Sequence, residues 1–353
     1  MLLLRLPPEI LAQIFDLVGS PFFREDLGRL TVCKHWLTFA IPTHFKCIAL
    51  SRKTLRTLMA SGVTKRLSLK HSLKTLGLEL GGYDPSCGSF APQQNAQDSN
   101  ASSVIVASET FNDTPAKTWI NVLNDDLTEL AFTAQQSPRL RSMRIRAWSS
   151  PSPDTLEEPE RYLSLPAIKG FLSVKNLSVL VLDLPVSLLN SSREQVTDLH
   201  ICPAIGALLG TLQTLHLRMC SICPDVLKPQ ESHNGLRLSN VVINLSLMTN
   251  QPGITFAAHS KRCGSLAGGL LQLEADIQEQ AQELATRMES PKIMRVLTHS
   301  LPRFQTRSFD VLTGKIMTLD DDMAWDEDGE TVPEEPGSDS DLIDDDSSTF
   351  SDD

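Results

Sequence analysis

The sequence predicts a mixed protein of the α+β or α/β class, with a small helical unit, a body of strands and helices, a C-terminal helix and a disordered acidic tail. Three observations predict this order: large apolar residues crowd the N-terminus, a leucine spacing recurs downstream, and acidic residues fill the C-terminus. At 353 residues, 41% of them hydrophobic, the chain can bury one large core or two modest ones. We place the boundaries after residues 50 and 319.

The N-terminal unit, within residues 1–50, carries the signals of consecutive helices. Pro7 and Pro8 fit the start of the first helix, because proline lacks only an N–H that has no partner there. The apolar face of this helix comprises Ile10, Leu11, Ile14, Phe15 and Val18. After a predicted loop from Gly19 to Glu25, Asp26 can cap a second helix, whose apolar face comprises Leu27, Leu30, Val32, Cys33, Trp36 and Phe39. So small a unit cannot bury all of these groups, and some must contact another surface.

Two blocks of this segment resemble the F-box. They are Leu6-Pro7-x-Glu9-Ile10-Leu11-x-x-Ile14-Phe15 and Asp26-Leu27-x-x-Leu30-x-Val32-Cys33-Lys34-x-Trp36. The intervening loop, which contains Pro21, Phe22 and Phe23, is longer than usual for the family. The resemblance implies a three-helix module, residues 1–50, that docks on a Skp-type adaptor in a cullin-RING ubiquitin ligase. It assigns the adaptor contact to Leu6, Pro7, Ile10, Leu11 and Phe15, and it shares Leu27, Val32, Cys33 and Trp36 between that contact and the F-box core.

A leucine spacing recurs through residues 51–319, the predicted body. Leu-x-x-Leu-x-Leu occurs at Leu73/Leu76/Leu78, Leu177/Leu180/Leu182 and Leu212/Leu215/Leu217, with variants at Leu140/Met143/Ile145 and Val242/Leu245/Leu247. Cys220 and Asn250 stand where a leucine-rich repeat places a residue that hydrogen-bonds the backbone of adjacent turns. The spacing predicts an irregular leucine-rich-repeat-like solenoid of strands and helices. An ordinary α/β domain with chance leucine spacings is the open alternative. The whole arrangement resembles the irregular leucine-rich F-box proteins of filamentous fungi.

Other segments of the body have distinct patterns. Residues 84–117 are rich in Ser, Asn, Gln and Pro and predict a flexible insertion, and residues 149–159 predict a shorter loop. Apolar residues at steps of three and four predict a helix before Pro291 that packs on the body: Leu266, Leu270, Leu273, Ile277, Ala281, Leu284 and Met288. A second stripe predicts a helix containing Ile120, Leu123, Leu127, Leu130 and Ala134. Alternating residues between Phe309 and Leu319 predict a hairpin.

Charge is distributed unevenly along the chain. The net charge of −11 arises from residues 320–353, which hold 16 Asp or Glu and no Lys or Arg, whereas the rest of the chain carries +5. A segment so acidic repels itself and has few apolar groups to bury, which predicts disorder. Two alternatives remain open: the tail folds back over basic patches, or it serves as a phosphorylated switch.

No pattern in the sequence predicts an active site, a metal or a cofactor. The chain has neither a Gly-x-Ser-x-Gly motif nor a glycine-rich phosphate loop, and His200 and Cys202 do not form a recognisable nucleophile pair. Cys220-x-x-Cys223 is the best metal-like pair, with His216 and Cys202 available as further ligands. We expect no zinc there, because no second pair stands at zinc-finger spacing.

Cysteine usage and hydropathy predict an intracellular protein of the cytoplasm or nucleus. No apolar run approaches the ~20 residues that span a bilayer. Arg5, Pro7 and Glu9 interrupt the apolar start before the ~7 to 15 residues that a signal peptide needs. The seven cysteines are odd in number and widely spaced, which favours reduced thiols.

These observations predict a non-catalytic receptor that holds an adaptor at one end and a protein target, which the sequence does not identify, at the other. His216 and Arg218 are candidate target contacts, since they alternate with leucines expected to be buried. One alternative is an adaptor-bound scaffold that acts outside the ligase. A nuclear scaffold or nucleic-acid binder that uses the basic body is a second alternative. We do not expect nucleic acid, because the basic residues are not interleaved with aromatic ones.

Overall fold

The computed structural model describes residues 5–62, 67–83, 115–149, 161–189, 200–230, 235–247, 259–264, 269–300, 305–320 and 323–331. These ranges contain eight α-helices, and none of them is both long and apolar enough to cross a membrane. The helices are α1 (Pro8–Glu25), α2 (Lys34–His44), α3 (Arg52–Ala60), α4 (Leu67–Ser72), α5 (Pro115–Gln135), α6 (Leu165–Leu172), α7 (Cys202–Gly206) and α8 (Leu270–Arg287).

A large, mostly parallel sheet organises the body. Its strands, in spatial order, are β1 (Cys47–Ser51), β2 (Thr75–Gly81), β3 (Ser142–Trp148), β5 (Val179–Leu184), β7 (Thr214–Met219), β9 (Asn240–Asn244), β11 (Ile293–Ser300), β12 (Gln305–Asp310), β13 (Ile316–Leu319) and β14 (Glu330–Thr331). Pairing is parallel from β1 to β11 and antiparallel from β11 to β14. Two short parallel pairs flank the sheet: β4 (Arg161–Ser164) with β6 (Ser187–Leu189), and β8 (Ser221–Ile222) with β10 (Lys261–Arg262). Spatial order therefore follows chain order, and the chain is a mixed α/β protein.

The recurring leucines lie side by side in this sheet. Leu76, Met143, Leu180 and Leu215 are consecutive register partners, and all are buried in the core shared with the helices. The predicted fifth copy, Val242/Leu245/Leu247, is wrong by four positions. The register instead places Val241 and Ile243 beside Leu215 and Leu217. The reason is that β9 is buried on both faces, so its continuous apolar run does not alternate. Asn250 lies outside the described residues.

The two predicted helical stripes form α5 and α8. In α5 the buried residues include Leu123, Leu127, Leu130 and Ala134, and in α8 they are Leu273, Ile277, Ala281 and Leu284. Both helices pack on the main core, as the stripes predict. Helix α5 already begins at Pro115, so the last three residues of the predicted 84–117 insertion are helical. The remainder of that insertion, most of the 149–159 loop and Leu266 lie outside the described residues.

The N-terminal unit departs from the prediction in two places. Helical structure continues through the expected Gly19 to Glu25 loop, because only Gly19 leaves the helical region, at φ +75°. Pro21 then occupies the first turn of a new helical segment, where proline is tolerated. Asp26 caps a short 3-10 helix, Leu27–Leu30, whose Gly28 N–H donates to the Asp26 side chain at 2.8 Å. The predicted second helix is thus two elements, since α2 starts afresh with Cys33 as its N-cap.

Only two residues, Phe45 and Lys46, connect α2 to β1. The Lys46 carbonyl accepts hydrogen bonds from the backbone N–H groups of Lys74 at 2.7 Å and Thr75 at 3.0 Å. The Lys46 ammonium lies 3.1 Å from the Asp16 carboxylate on α1. The N-terminal helices are therefore joined directly to the sheet by a short, hydrogen-bonded connection.

The C-terminal part of the described chain folds onto the sheet. Strands β12 and β13 form the predicted hairpin. Residues 323–331, which we name the C-terminal strap, follow it and end in β14. Buried Arg295 of β11 pairs with Asp328 and donates to the Glu327 carbonyl. The prediction that disorder begins at residue 320 is therefore wrong for the strap, because a buried arginine attracts its acidic residues. Residues 332–353 lie outside the described residues.

Candidate functional site

Exposed apolar side chains concentrate on the N-terminal helices. Of the eleven large apolar side chains exposed in the described ranges, seven lie between residues 6 and 32. We name them the N-terminal apolar surface: Leu6, Ile10, Leu17, Val18, Phe22, Leu27 and Val32. A patch of this kind is typical of a surface that contacts another protein.

The structure divides the nine predicted adaptor contacts into three groups. Five are exposed: Leu6, Pro7, Ile10, Leu27 and Val32. Cys33 and Trp36 are half-buried, as expected for residues shared with the core. Leu11 and Phe15 are buried within the chain and offer no surface to a partner.

The sequence patterns did not identify three residues as exposed: Leu17, Val18 and Phe22. Ile10, half-buried Ile14 and Leu17 are spaced by four and three residues, so they share one stripe of α1. Leu11 and Phe15 form the adjacent, buried stripe. Helical spacing extended past Phe15 would have identified Leu17.

An aromatic cluster holds the buried stripe of α1 against α2. The Phe15 ring meets the Trp36 ring edge-on at 4.5 Å and stacks on Phe23 at 5.6 Å between centroids. The Trp36 indole N–H donates to the Arg29 carbonyl at 2.6 Å, which ties α2 to the 3-10 helix. The buried side chains pack on one another in this cluster and stabilise the unit. The N-terminal apolar surface is not needed for that packing and remains exposed to solvent.

The sheet face opposite the main core carries a row of charges of alternating sign. Glu79, Arg146, Asp183 and Arg218 are consecutive register partners on β2, β3, β5 and β7. Arg146 lies 4.0 Å from Glu79 and 3.7 Å from Asp183, and the Arg218 Nε donates to Asp183 Oδ1 at 2.6 Å. Opposite charges on adjacent strands stabilise one another, so ion pairs cross this face from β2 to β7.

The C-terminal strap covers the predicted target contacts. The side chains of His216 and Arg218 retain only 14% and 17% of their exposure. The Trp325 ring lies 5.0 Å from the Arg218 guanidinium, and Asp326 lies 4.0 Å from the His216 ring. The expectation that these two residues are exposed is therefore wrong. The cause is the acidic and aromatic strap, whose sequence position gives no sign that it reaches β7.

On the same face, β3 is open. Arg144, Arg146 and Trp148 are exposed along this strand. These residues, and not His216 and Arg218, present charged and aromatic groups to solvent in this part of the sheet. An exposed tryptophan beside arginines is the composition most often found where binding energy concentrates in protein interfaces.

A second cluster joins four possible metal ligands. The donor atoms of His200, Cys202, Cys223 and Cys263 all lie within 4.8 Å of one another. Cys202 Sγ is 3.7 Å from Cys263 Sγ, and Cys223 Sγ is 3.8 Å from His200 Nδ1. Hydrogen bonds with the other two thiols lower the pKa of Cys223, and the contact with Cys223 raises the pKa of Cys202. The cluster therefore favours a thiolate at one of its positions.

The metal-like pair in the sequence is separated in the structure. Cys220 Sγ lies 3.4 Å from Ser187 Oγ and is not part of the cluster, and His216 lies on the opposite sheet face. Of the four ligands considered in the sequence, only Cys202 and Cys223 belong to the cluster. Cys263 was missed because no spacing rule connects it to Cys223.

Comparisons of the chain with protein-family models, with curated proteins and with solved structures return no match.

Proposed function

We propose that this protein is the substrate-recognition subunit of an SCF-type cullin-RING ubiquitin ligase. In this proposal the N-terminal helices are an F-box that binds a Skp-type adaptor, and the body binds a protein target. The observation that carries it is the N-terminal apolar surface: residues that match both blocks of the F-box pattern remain exposed after the unit has packed on its own body.

The N-terminal apolar surface is better suited to contact a partner protein than to pack on another part of this chain. Its neighbours are polar and already paired, since Arg29 lies over the Phe22 ring at 4.2 Å and forms an ion pair with Glu25 at 3.0 Å. A centre of apolar side chains with a charged rim is the usual composition of a protein interface.

The body supports the second half of the proposal. Successive parallel strands align their leucines toward the core, which is the arrangement expected of an irregular leucine-rich-repeat-like domain. The opposite face is charged, and the open part of β3 offers Arg144, Arg146 and Trp148. We assign the target contact to these residues in place of His216 and Arg218.

The proposed receptor carries out no bond-making step of its own. Binding of adaptor and target to one chain holds the target near the activated ubiquitin of the ligase. The local concentration of target lysines near the activated ubiquitin is then high, so ubiquitin transfer does not depend on a diffusional encounter between the two.

Pull-down of the full chain from cells tests the adaptor half. We expect adaptor and cullin to be recovered with the wild-type chain and lost when Leu6 and Pro7 are both replaced by alanine. Phe132→Ala is the matched control, because Phe132 is an exposed apolar residue on α5, away from the proposed contact. Recovery of adaptor without cullin would favour the scaffold alternative, and recovery of neither would overturn the proposal.

A second experiment tests the target half. Proteins that accumulate when the gene is deleted are identified by quantitative proteomics, and the deletion is complemented with wild-type chain or with Arg144→Glu. We expect the variant to bind adaptor normally but to leave the targets elevated. Normal target levels with Arg144→Glu would place the target contact elsewhere.

A further inference from the structure

The four-residue cluster is a complete set of metal donors. Its members come from three parts of the chain that are distant in sequence: His200 and Cys202 flank the start of α7, Cys223 follows β8, and Cys263 follows β10. A tetrahedral Zn²⁺ with Zn–S bonds of about 2.3 Å separates two thiolate sulfurs by about 3.8 Å. The 3.7 Å between the sulfurs of Cys202 and Cys263 matches that edge.

We propose that His200, Cys202, Cys223 and Cys263 bind one Zn²⁺ as a structural Cys₃His site. Thiolates and imidazole in tetrahedral arrangement select zinc over the oxygen-preferring Mg²⁺ and Ca²⁺. All four coordination positions are filled by the protein, so no position is open for water or substrate. The site therefore stabilises the fold and does not catalyse a reaction.

The backbone builds this site without the metal. Strands β8 and β10 pair in parallel, and the Cys263 N–H donates to the Ile222 carbonyl at 3.2 Å. Cys223 and Cys263 thus leave adjacent strands at neighbouring positions. A Cβ at Gly206 would lie 2.5 Å from the Lys228 carbonyl oxygen, so only glycine lets α7 pack this closely against the 3-10 helix Pro224–Leu227. That close packing brings the start of α7 to Cys223.

The proposed ion would join segments that have little other support. Helix α7 has five residues, and β8 and β10 have two residues each, which is too short for any of them to be stable alone. His200 also lines a cleft of about 240 Å³ together with Leu188 and Cys220. A zinc ion would fix one wall of this cleft.

A disulfide is the main competing interpretation of the thiols. Disulfide sulfurs are bonded at about 2.0 Å, far closer than the 3.7 Å between Cys202 and Cys263. A disulfide would also leave Cys223 and His200 without a reason to converge on the same point. A metal ion with four ligands explains why all four side chains lie close together.

The first experiment uses the unmodified chain, expressed with zinc and purified under reducing conditions. We expect about one zinc per chain by mass spectrometry of metals and an X-ray absorption spectrum with three sulfur neighbours at about 2.3 Å and one nitrogen at about 2.0 Å. A chain without zinc that also fails to bind Zn²⁺ or Co²⁺ after reduction would overturn the proposal. So would a Cys202–Cys263 disulfide found by peptide mapping of protein alkylated in cells.

The second experiment compares cysteine variants. Cys202→Ser, Cys223→Ser and Cys263→Ser should each lose the zinc, whereas Cys220→Ser should keep about one per chain. Cys220 is the matched control because it is also buried but faces Ser187. Zinc retained in all four variants would place the ion elsewhere and overturn the assignment. Should the ligand variants be insoluble, the absorption spectrum of the unmodified chain still tests the donor types, since any set other than three sulfurs and one nitrogen would overturn the proposal.

Discussion

Two leucines of the N-terminal unit should respond in opposite ways to substitution. The F-box resemblance assigns both Leu11 and Leu27 to the adaptor contact, but Leu11 is 0% exposed and Leu27 is 61% exposed. We expect Leu27→Asp to weaken adaptor binding without loss of stability. We expect Leu11→Ala to lower stability, with nearly unchanged adaptor affinity in the fraction that remains folded.

The exposed fractions give the size of the binding effect. Full burial of a large aliphatic side chain contributes about 1.5–3 kcal/mol, so covering the exposed part of Leu27 contributes about 1–2 kcal/mol. Ile10 and Val32, at 41% and 42% exposure, add about 1 kcal/mol each. With about 1.4 kcal/mol for each tenfold, the three residues supply on the order of 10²- to 10³-fold in Kd. Aspartate at residue 27 would also bury a carboxylate, so we expect a loss on the order of 100-fold.

Calorimetric titration of each variant with purified adaptor measures Kd, and urea denaturation measures the free energy of unfolding. Leu11→Ala should lower that free energy by about 2–5 kcal/mol, and Leu27→Asp should change it by less than about 0.5 kcal/mol. Unchanged affinity in Leu27→Asp would refute the docking surface. A large loss of stability in that variant would show that Leu27 belongs to the core.

Three further predictions concern stability. Gly206→Ala should lower the free energy of unfolding by about 1–3 kcal/mol in urea denaturation, because the new methyl group meets backbone carbonyls. Truncation after residue 320 should lower Tm and increase binding of an apolar dye, since the strap covers Arg218 and the apolar cluster of Val242, Leu297 and Leu319. Stability should fall as pH drops from 7.5 to 5.5, because burial lowers the pKa of three histidines and the unfolded chain then binds more protons below about pH 6.5. These are His44, His216 and His259.

Each of these predictions has its own control. Gly210→Ala has nothing within 4 Å of the new methyl group and should be nearly neutral. Truncation after residue 331 keeps the strap and should leave Tm unchanged, and an equal loss in both truncations would contradict the role of the strap. A Tm that stays constant over the pH range would show that folding does not lower the pKa of the three histidines.

Local periodicity was sufficient to predict the elements that have one buried face. Helices α5 and α8 and the β12–β13 hairpin follow from apolar spacing, because each has a polar side that faces solvent. Strand β9 was misaligned for the opposite reason, since a strand buried on both sides carries no alternation. At Gly19 and Pro21 the residues typical of a loop instead mark a sharp bend between two helical segments.

Contacts between distant residues could not be predicted from spacing. The acidic composition of the strap is typical of disorder, and the strap is held by contacts with distant strands: its acidic residues with buried Arg295 on β11, and Met323 and Trp325 with an apolar cluster of the sheet. The proposed zinc ligands between residues 200 and 263 follow no known motif, because their meeting point depends on how two short strands pair. In the N-terminal unit, the sequence identified helices that carry exposed apolar residues but could not separate the buried stripe of α1 from its exposed neighbour.

The connection between α2 and β1 limits how the molecule can move. Two hydrogen-bonded residues leave little length for a hinge, so we expect the N-terminal helices and the sheet to turn as one rigid body. In the proposed ligase, the distance from adaptor to bound target would then be set by this chain and could not be adjusted by it. Flexible segments of the target, or movements of the cullin arm, would then have to bring a lysine to the activated ubiquitin.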